Sequence, residues 1–189
     1  MCVVLTSILL HVMVLSIIFN LDFSVAQTIC YGVGGLTLSD ALIYHMAVIE
    51  DVRPSIIYIH LGSNDMADPD TSIRQAAESL MELCRRCYNN GVRRIVISQI
   101  LLRRLSGIPH NVPNYNGRVL RLNTMIYNNV ALVRFPVYMW RHRGFWYSQF
   151  NLLVRDGVHL NRRGCVRFYR SIRGGLLRAL SSLRIRRRH

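Results

Sequence analysis

Seven residues, Ser55-Ile56-Ile57-Tyr58-Ile59-His60-Leu61, constrain the fold of this chain more than any other stretch. The run is short, apolar and rich in β-branched side chains, with Pro54 before it and Gly62 after it. A run of that length and composition reads as a buried strand. It empties into Gly62-Ser63-Asn64-Asp65. Ligand sites in open parallel sheets lie at the carboxyl ends of the strands. Asn64 is therefore placed to offer a side-chain amide to an oxyanion. Upstream, Tyr31-Gly32-Val33-Gly34-Gly35-Leu36-Thr37 is a glycine-rich loop before a helix, a setting for exposed backbone N–H groups.

A second polar stretch lies far away in sequence, at Arg155-Asp156-Gly157-Val158-His159-Leu160-Asn161. An Asp three residues before a His can put both side chains on one side of a single turn. The carboxylate can then take the imidazole Nδ1–H, fix its tautomer and stabilise the imidazolium, as the orienter and base of a hydrolytic triad do. The same letters also suit an N-cap aspartate beside a surface histidine, so the pair alone does not decide.

Together these stretches resemble a known family. G-x-N-D after a strand (residues 62–65), G-G-x-T upstream (residues 34–37) and D-G-V-H-L-N (residues 156–161) are similar to blocks III, II and V of the SGNH (GDSL-like) hydrolases. Gly35 and Asn64 lie 29 positions apart (64 − 35), which suits that family's layout. The resemblance runs from about residue 21 to about residue 180. It implies a three-layer α/β/α sandwich with a parallel, flavodoxin-like sheet, and serine-dependent hydrolysis of a small ester or acyl substrate. It also implies roles: Asp156 and His159 as acid and base, the Gly35 N–H and the Asn64 side chain as oxyanion donors. One block is missing. The family's nucleophile sits in a Gly-Asp-Ser after the first strand, and no Gly-Asp-Ser occurs in this sequence. The nearest substitute is Val3-Val4-Leu5-Thr6-Ser7, an apolar run ending in Ser7, with residues 8–19 as the helix that would follow. Without a nucleophile, the resemblance implies a ligand-binding module that keeps the pocket, or an accessory domain of the kind found in retroelement reading frames.

The chain has 189 residues, enough for one domain with a sizeable core. Residues 1–20 read as a hydrophobic segment, 21–183 as the hydrolase-type domain and 184–189 as a basic tail. The first segment fits a secretory signal with Ser24-Val25-Ala26 as a small-x-small cleavage site, or a membrane anchor, or a degenerate first strand and helix. A signal would imply secretion, whereas the cysteine usage is compatible with the cytoplasm. Cleavage after Ala26 would also remove the alternating run 21–25, which leads into the strand around Tyr31. Formal net charge is +14, and all 24 basic residues are Arg. Such a charge favours contact with nucleic acid or an anionic membrane, although many of these arginines fall on the polar faces of amphipathic helices. Cys84 and Cys87 form a C-x-x-C by letter. With Ile73, Ala77 and Leu80 they complete one helical stripe, so both read as small core hydrophobes. No cluster implies a metal or an organic cofactor.

The remaining punctuation is local. Leu38, Leu42, Met46 and Ile49 mark an amphipathic helix that ends before Pro54. Asp65 is expected to hydrogen-bond within its own loop. Ser72 with Gln75 is a capping box for a helix running to Asn89, with Gly91 just beyond. Residues 92–100 are a second buried strand, and 101–117 a long loop of lid or binding type. Val119, Leu122 and Ile126 predict a helix ending near Asn128, and residues 130–133 are expected to be the last strand. The aromatic-rich stretch 138–150 is expected to line an apolar pocket beside His159. His110 and His142 are expected to face solvent. Asn161 is a good N-cap for the final helix.

Overall fold

The computed structural model describes residues 2–6, 28–145 and 150–185. Ser7, the run 8–25, Trp146, Tyr147 and the tail 186–189 lie outside the described residues.

Among the described residues, five strands form one sheet in the order β2-β1-β3-β4-β5, with every neighbouring pair parallel. They are β1 (Cys2–Thr6), β2 (Thr28–Gly32), β3 (Ile56–His60), β4 (Arg94–Ser98) and β5 (Val137–Trp140). The apolar run that dominates the sequence is β3, at the centre of the sheet. Its five residues are all buried because helices cover both faces.

The pleat divides β3 between two cores. Ile57 and Ile59 join Ile95 and Ile97 of β4 in one cluster. That cluster is completed by Leu80 and Leu83 of α4 (Ile73–Asn89) and by Leu122 and Ile126 of α5 (Tyr115–Leu132). Leu38 of the short helix α1 (Leu38–Asp40) and Ile49 of α2 (Met46–Val52) belong to the same layer, joined by a π-helical turn at Ala41–His45. Ile56, Tyr58 and Val96 point to the opposite face. There they meet Phe168, Ile172 and Leu176 of α6 (Arg162–Ile185). Burying each of these side chains stabilises the fold by about 1.5–3 kcal/mol relative to exposure. The result is the three-layer sandwich expected from the sequence.

The caps explain where the helices start. Ser72 Oγ accepts from Gln75 N at 3.0 Å, and Asn161 Oδ1 accepts from Gly164 N at 3.0 Å. Cys84 and Cys87 are fully buried and free, as the helical stripe predicted. Gly174 and Gly175 lie where α6 crosses the ring of Trp140. A Cβ at either position would come within 3.2 Å of that ring.

Two expectations are corrected. Residues 130–132 continue α5 to Leu132 instead of forming a strand, and β5 is the later run Val137–Trp140. His142 does not face solvent: it is 0% exposed and hydrogen-bonded on both ring nitrogens.

Candidate functional site

The site forms where β3, β4 and two distant loops meet at the carboxyl edge of the sheet. β1 ends there too: Thr6 pairs with Gly32 of β2 and with His60 of β3.

The turn after β3 is sharp. Gly62 has φ +107°, a left-handed conformation that favours glycine, and it leads straight into the one-turn helix α3 (Ser63–Ala67). Two side chains from α3 then fasten the glycine-rich loop. Asn64 Nδ2 donates to the Leu36 carbonyl at 3.0 Å. Asp65 Oδ1 accepts from Leu38 N at 3.0 Å. Asp65 thus bonds to the start of α1, 27 residues away, as well as to its own backbone. Thr37 and Asp40 close a capping box on the same turn. Burial raises the Asp65 carboxyl above its ordinary value, against hydrogen bonds that lower it. Gly35 and Asn64 are held side by side by these contacts, and the Asn64 amide keeps its second N–H.

Residues 99–103 form the next wall. Two asparagines of α5 clamp their backbone. Asn123 takes Ile100 N at 2.9 Å and gives to Ile100 O at 3.0 Å. Asn116 takes Arg103 N at 2.9 Å and gives to Arg103 O at 2.8 Å. The two lie seven residues apart (123 − 116), two helical turns, so one face of α5 holds the whole segment.

The third wall carries the Asp–His pair. Residues 154–159 fold back on themselves through Val154 N to His159 O at 2.9 Å and Gly157 N to Val154 O at 3.1 Å. Asp156 Oδ1 accepts from Val158 N at 2.8 Å and from His159 N at 2.9 Å. Its Oδ2 lies 2.7 Å from His159 Nδ1. Desolvation would raise the Asp156 carboxyl. The His159 side-chain bond and the two backbone N–H groups outweigh it and bring the group down to about 2. The carboxylate therefore stays charged at neutral pH and holds the ring by Nδ1, which turns Nε2 outward.

This loop is pressed against the wall before it. Arg104 N donates to Gly157 O at 2.9 Å, and Ser106 Oγ donates to Arg155 O at 3.1 Å. A Cβ at Gly157 (φ +73°) would lie 2.7 Å from Gly107 N, and a Cβ at Gly107 would lie 2.7 Å from Asp156 O. The long irregular segment is thus the seat of the Asp–His turn, and two glycines allow the close approach.

The three walls enclose a cavity of about 240 Å³ lined by Gly34 and Gly35, by His60, Ser63 and Asn64, by Leu101, Leu102 and Arg103, and by Val158 and His159. Of the sequence-predicted residues, His159, Asn64 and Gly35 line it directly, and Asp156 stands behind His159. Ser7 lies outside the described residues. The described aromatics of 138–150 do not line this cavity. Tyr138, Trp140, Phe145 and Phe150 pack in the α6 core, so for these four the expected place beside His159 is corrected, while Trp146 and Tyr147 lie outside the described residues.

Behind the cavity runs a buried polar chain that the sequence did not disclose. His60 Nδ1 lies 2.7 Å from Ser98 Oγ, and Ser98 Oγ lies 2.6 Å from His142 Nε2. His142 Nδ1 lies 2.9 Å from Ser171 Oγ, which accepts from Trp140 Nε1 at 3.0 Å. Burial pushes His60 down to about 4. Burial, and next the His60 charge, push His142 well below its ordinary value. Both rings are neutral at pH 7. Period 2 in β3 and β4 puts His60 and Ser98 on the α6 side with Tyr58 and Val96, and that alternation was the one available signal.

Among the described residues no group of three or more His, Cys, Asp or Glu could hold a metal ion. No helix among them is long and apolar enough to cross a membrane.

No family model matches the sequence, and no match is found among curated protein sequences. Solved structures do match. A GDSL-like lipase from Bacteroides thetaiotaomicron superposes with a TM-score of 0.75 at 15% identity, over 94% of this chain and 88% of that one. A carbohydrate esterase of family 3 from Talaromyces cellulolyticus gives 0.68 at 19% identity, over 81% and 72%. The psychrotrophic esterase EstA from Pseudoalteromonas, in a structure inhibited by monoethylphosphonate, gives 0.66 at 18% identity, over 93% and 98%. The parallel sheet, its strand order and these superpositions agree: the chain has the fold of the SGNH (GDSL-like) hydrolases.

Proposed function

We propose that this domain is an ester hydrolase of the serine type, acting on a small ester or acyl substrate. The observation that carries the reading is the Asp156–His159 contact of 2.7 Å, with His159 on the same small cavity as Asn64 and Gly35. In this reading a serine hydroxyl attacks the ester carbonyl and His159 Nε2 takes its proton. Asp156 holds the imidazolium through Nδ1. The carbonyl oxygen becomes an oxyanion, held by the Gly35 N–H and the Asn64 amide. His159 then gives the proton to the departing alkoxide, and water releases the acyl group by the same route in reverse. The nucleophile candidate is Ser7, which follows the end of β1.

The absence of a Gly-Asp-Ser favours a second reading, a binding module that keeps the cavity and lacks turnover. Fluorophosphonate labelling of the full chain, followed by peptide mapping, separates the two. The phosphonate-inhibited esterase of the same fold makes this the apt probe. Labelling at Ser7 that disappears in His159→Ala supports the hydrolase. A folded chain that takes no label leaves the binding module.

A further inference from the structure

One charged side chain in the cavity has no counter-ion among the described residues. Arg103 is 8% exposed and lines the same cavity as His159. Its guanidinium donates to Ser63 Oγ at 3.0 Å, and more weakly to Ser63 O and Gly107 O, each at 3.4 Å. It stacks 4.6 Å from the centre of the Tyr115 ring. Its Nε is buried and has no partner. No carboxylate pairs with it among the described residues. Asp65, buried beside the same turn, spends Oδ1 on Leu38 N, and its Oδ2 is itself unpartnered. Among the described residues no acidic side chain lines the cavity.

A buried guanidinium without a carboxylate is costly unless something else supplies the negative charge. Here every partner is a neutral oxygen or a ring face. The clamp from Asn116 fixes the Arg103 backbone, so the guanidinium is held at this place by construction. A planar fork of donors suits carboxylate and phosphate oxygens. We propose that Arg103 is an anion subsite of this cavity, and that the substrate or ligand carries a carboxylate or phosphate group beside the bond facing His159. The assignment rests on the reading that this cavity receives the substrate. It narrows that reading from small esters in general to anionic ones.

The test is calorimetric titration of the full chain at pH 7 and low salt with inorganic phosphate, with acetate, and with acetamide as the neutral counterpart of acetate. Phosphate or acetate should bind and acetamide should not, and the stronger of the two anions identifies the group. Arg103→Gln should weaken anion binding by ~10-fold or more, as loss of a charge-assisted pair does. Arg103→Lys keeps the charge but loses the fork and should weaken it several-fold. Arg121→Gln, exposed on α5 and away from this cavity, should change nothing, which separates the subsite from the general +14 charge of the chain. Equal binding by Arg103→Gln, equal binding of acetamide, or no anion binding at all would overturn the proposal. Should Arg103→Gln fail to fold, unchanged binding by Arg103→Lys overturns it on its own. Binding and labelling fail separately: anion binding without fluorophosphonate labelling removes the hydrolase and keeps the subsite, and labelling without anion binding does the opposite.

Discussion

Lowering the pH from 7 to 5 should destabilise this protein by about 2 kcal/mol from His60 alone, with His142 acting in the same direction. His60 titrates near 6.5 when unfolded and near 4 in the fold. Between those values the unfolded chain binds the proton and the folded chain does not, so stability rises with pH across the window. It is complete above 6.5 and is lost as the pH falls toward 4. The two values give about 2 kcal/mol from His60 alone between pH 7 and pH 5. His142 is displaced in the same direction by burial and by the His60 charge, so it adds to the loss. Among the described residues neither ring has a carboxylate partner to stabilise its charged form; their contacts include Ser98, Ser171, Tyr58, each other and the rings of Phe145 and Phe168. The raised Asp65 carboxyl works in the opposite sense and softens the slope. Urea unfolding at pH 7, 6 and 5 reads the effect directly, with the same slope against urea at each pH if the two states are unchanged. A midpoint at pH 5 equal to that at pH 7 would refute the reasoning, since two neutral buried imidazoles cannot coexist with a flat profile.

Other consequences are sharper in locality than in size. Ser98→Ala orphans ring nitrogens on both His60 and His142. Tyr58 OH, 3.4 Å from His142 Nε2, is too distant to replace the lost hydroxyl fully, so urea unfolding should record a loss of about 1–3 kcal/mol per orphaned group. Asp156→Asn should cut fluorophosphonate labelling by ~10³–10⁴ while melting temperature barely moves, because both side chains of the pair are about half exposed. Asn64→Ala should lower kcat by ~10²–10³ with KM nearly unchanged, measured on any ester the chain turns over. Gly157→Ala places a Cβ 2.7 Å from the Gly107 backbone at a left-handed φ. Thermal unfolding should show a loss of about 1–3 kcal/mol and labelling should fall with it.

Short-range signals carried much of the architecture. The run 55–61 was legible as a fully buried strand because both faces are apolar, and two-sided burial already requires helices above and below the sheet. Ser72, Asn161 and the 73–87 stripe were legible because caps and periodicity are local. Residues 130–132 were misread for the same reason. Val130, Ala131 and Leu132 suit either element, and the backbone of α5 simply continues through them. His142 was misread because its partners, Ser98 and Ser171, come from β4 and α6 and meet it only after folding.

The site divides along the same line. The Asp156–His159 pair is local, four residues in one turn, and its geometry follows from spacing alone. What aims that turn is not local. Gly107 and Gly157 let two loops touch backbone to backbone, and Asn116 and Asn123 tie one of those loops to α5. Asn116 fell in the stretch expected to be loop, and only the start of α5 at Tyr115 puts it on one face with Asn123, where a buried amide must clamp some other backbone. The same clamp fixes Arg103, so the position of His159 and the position of the unpaired charge depend on one set of contacts. A change that loosens Asn116 should therefore blur both at once, whereas a change at Asp156 should touch only the histidine. That asymmetry separates the part of the cavity that would orient a proton from the part that would recognise a charge.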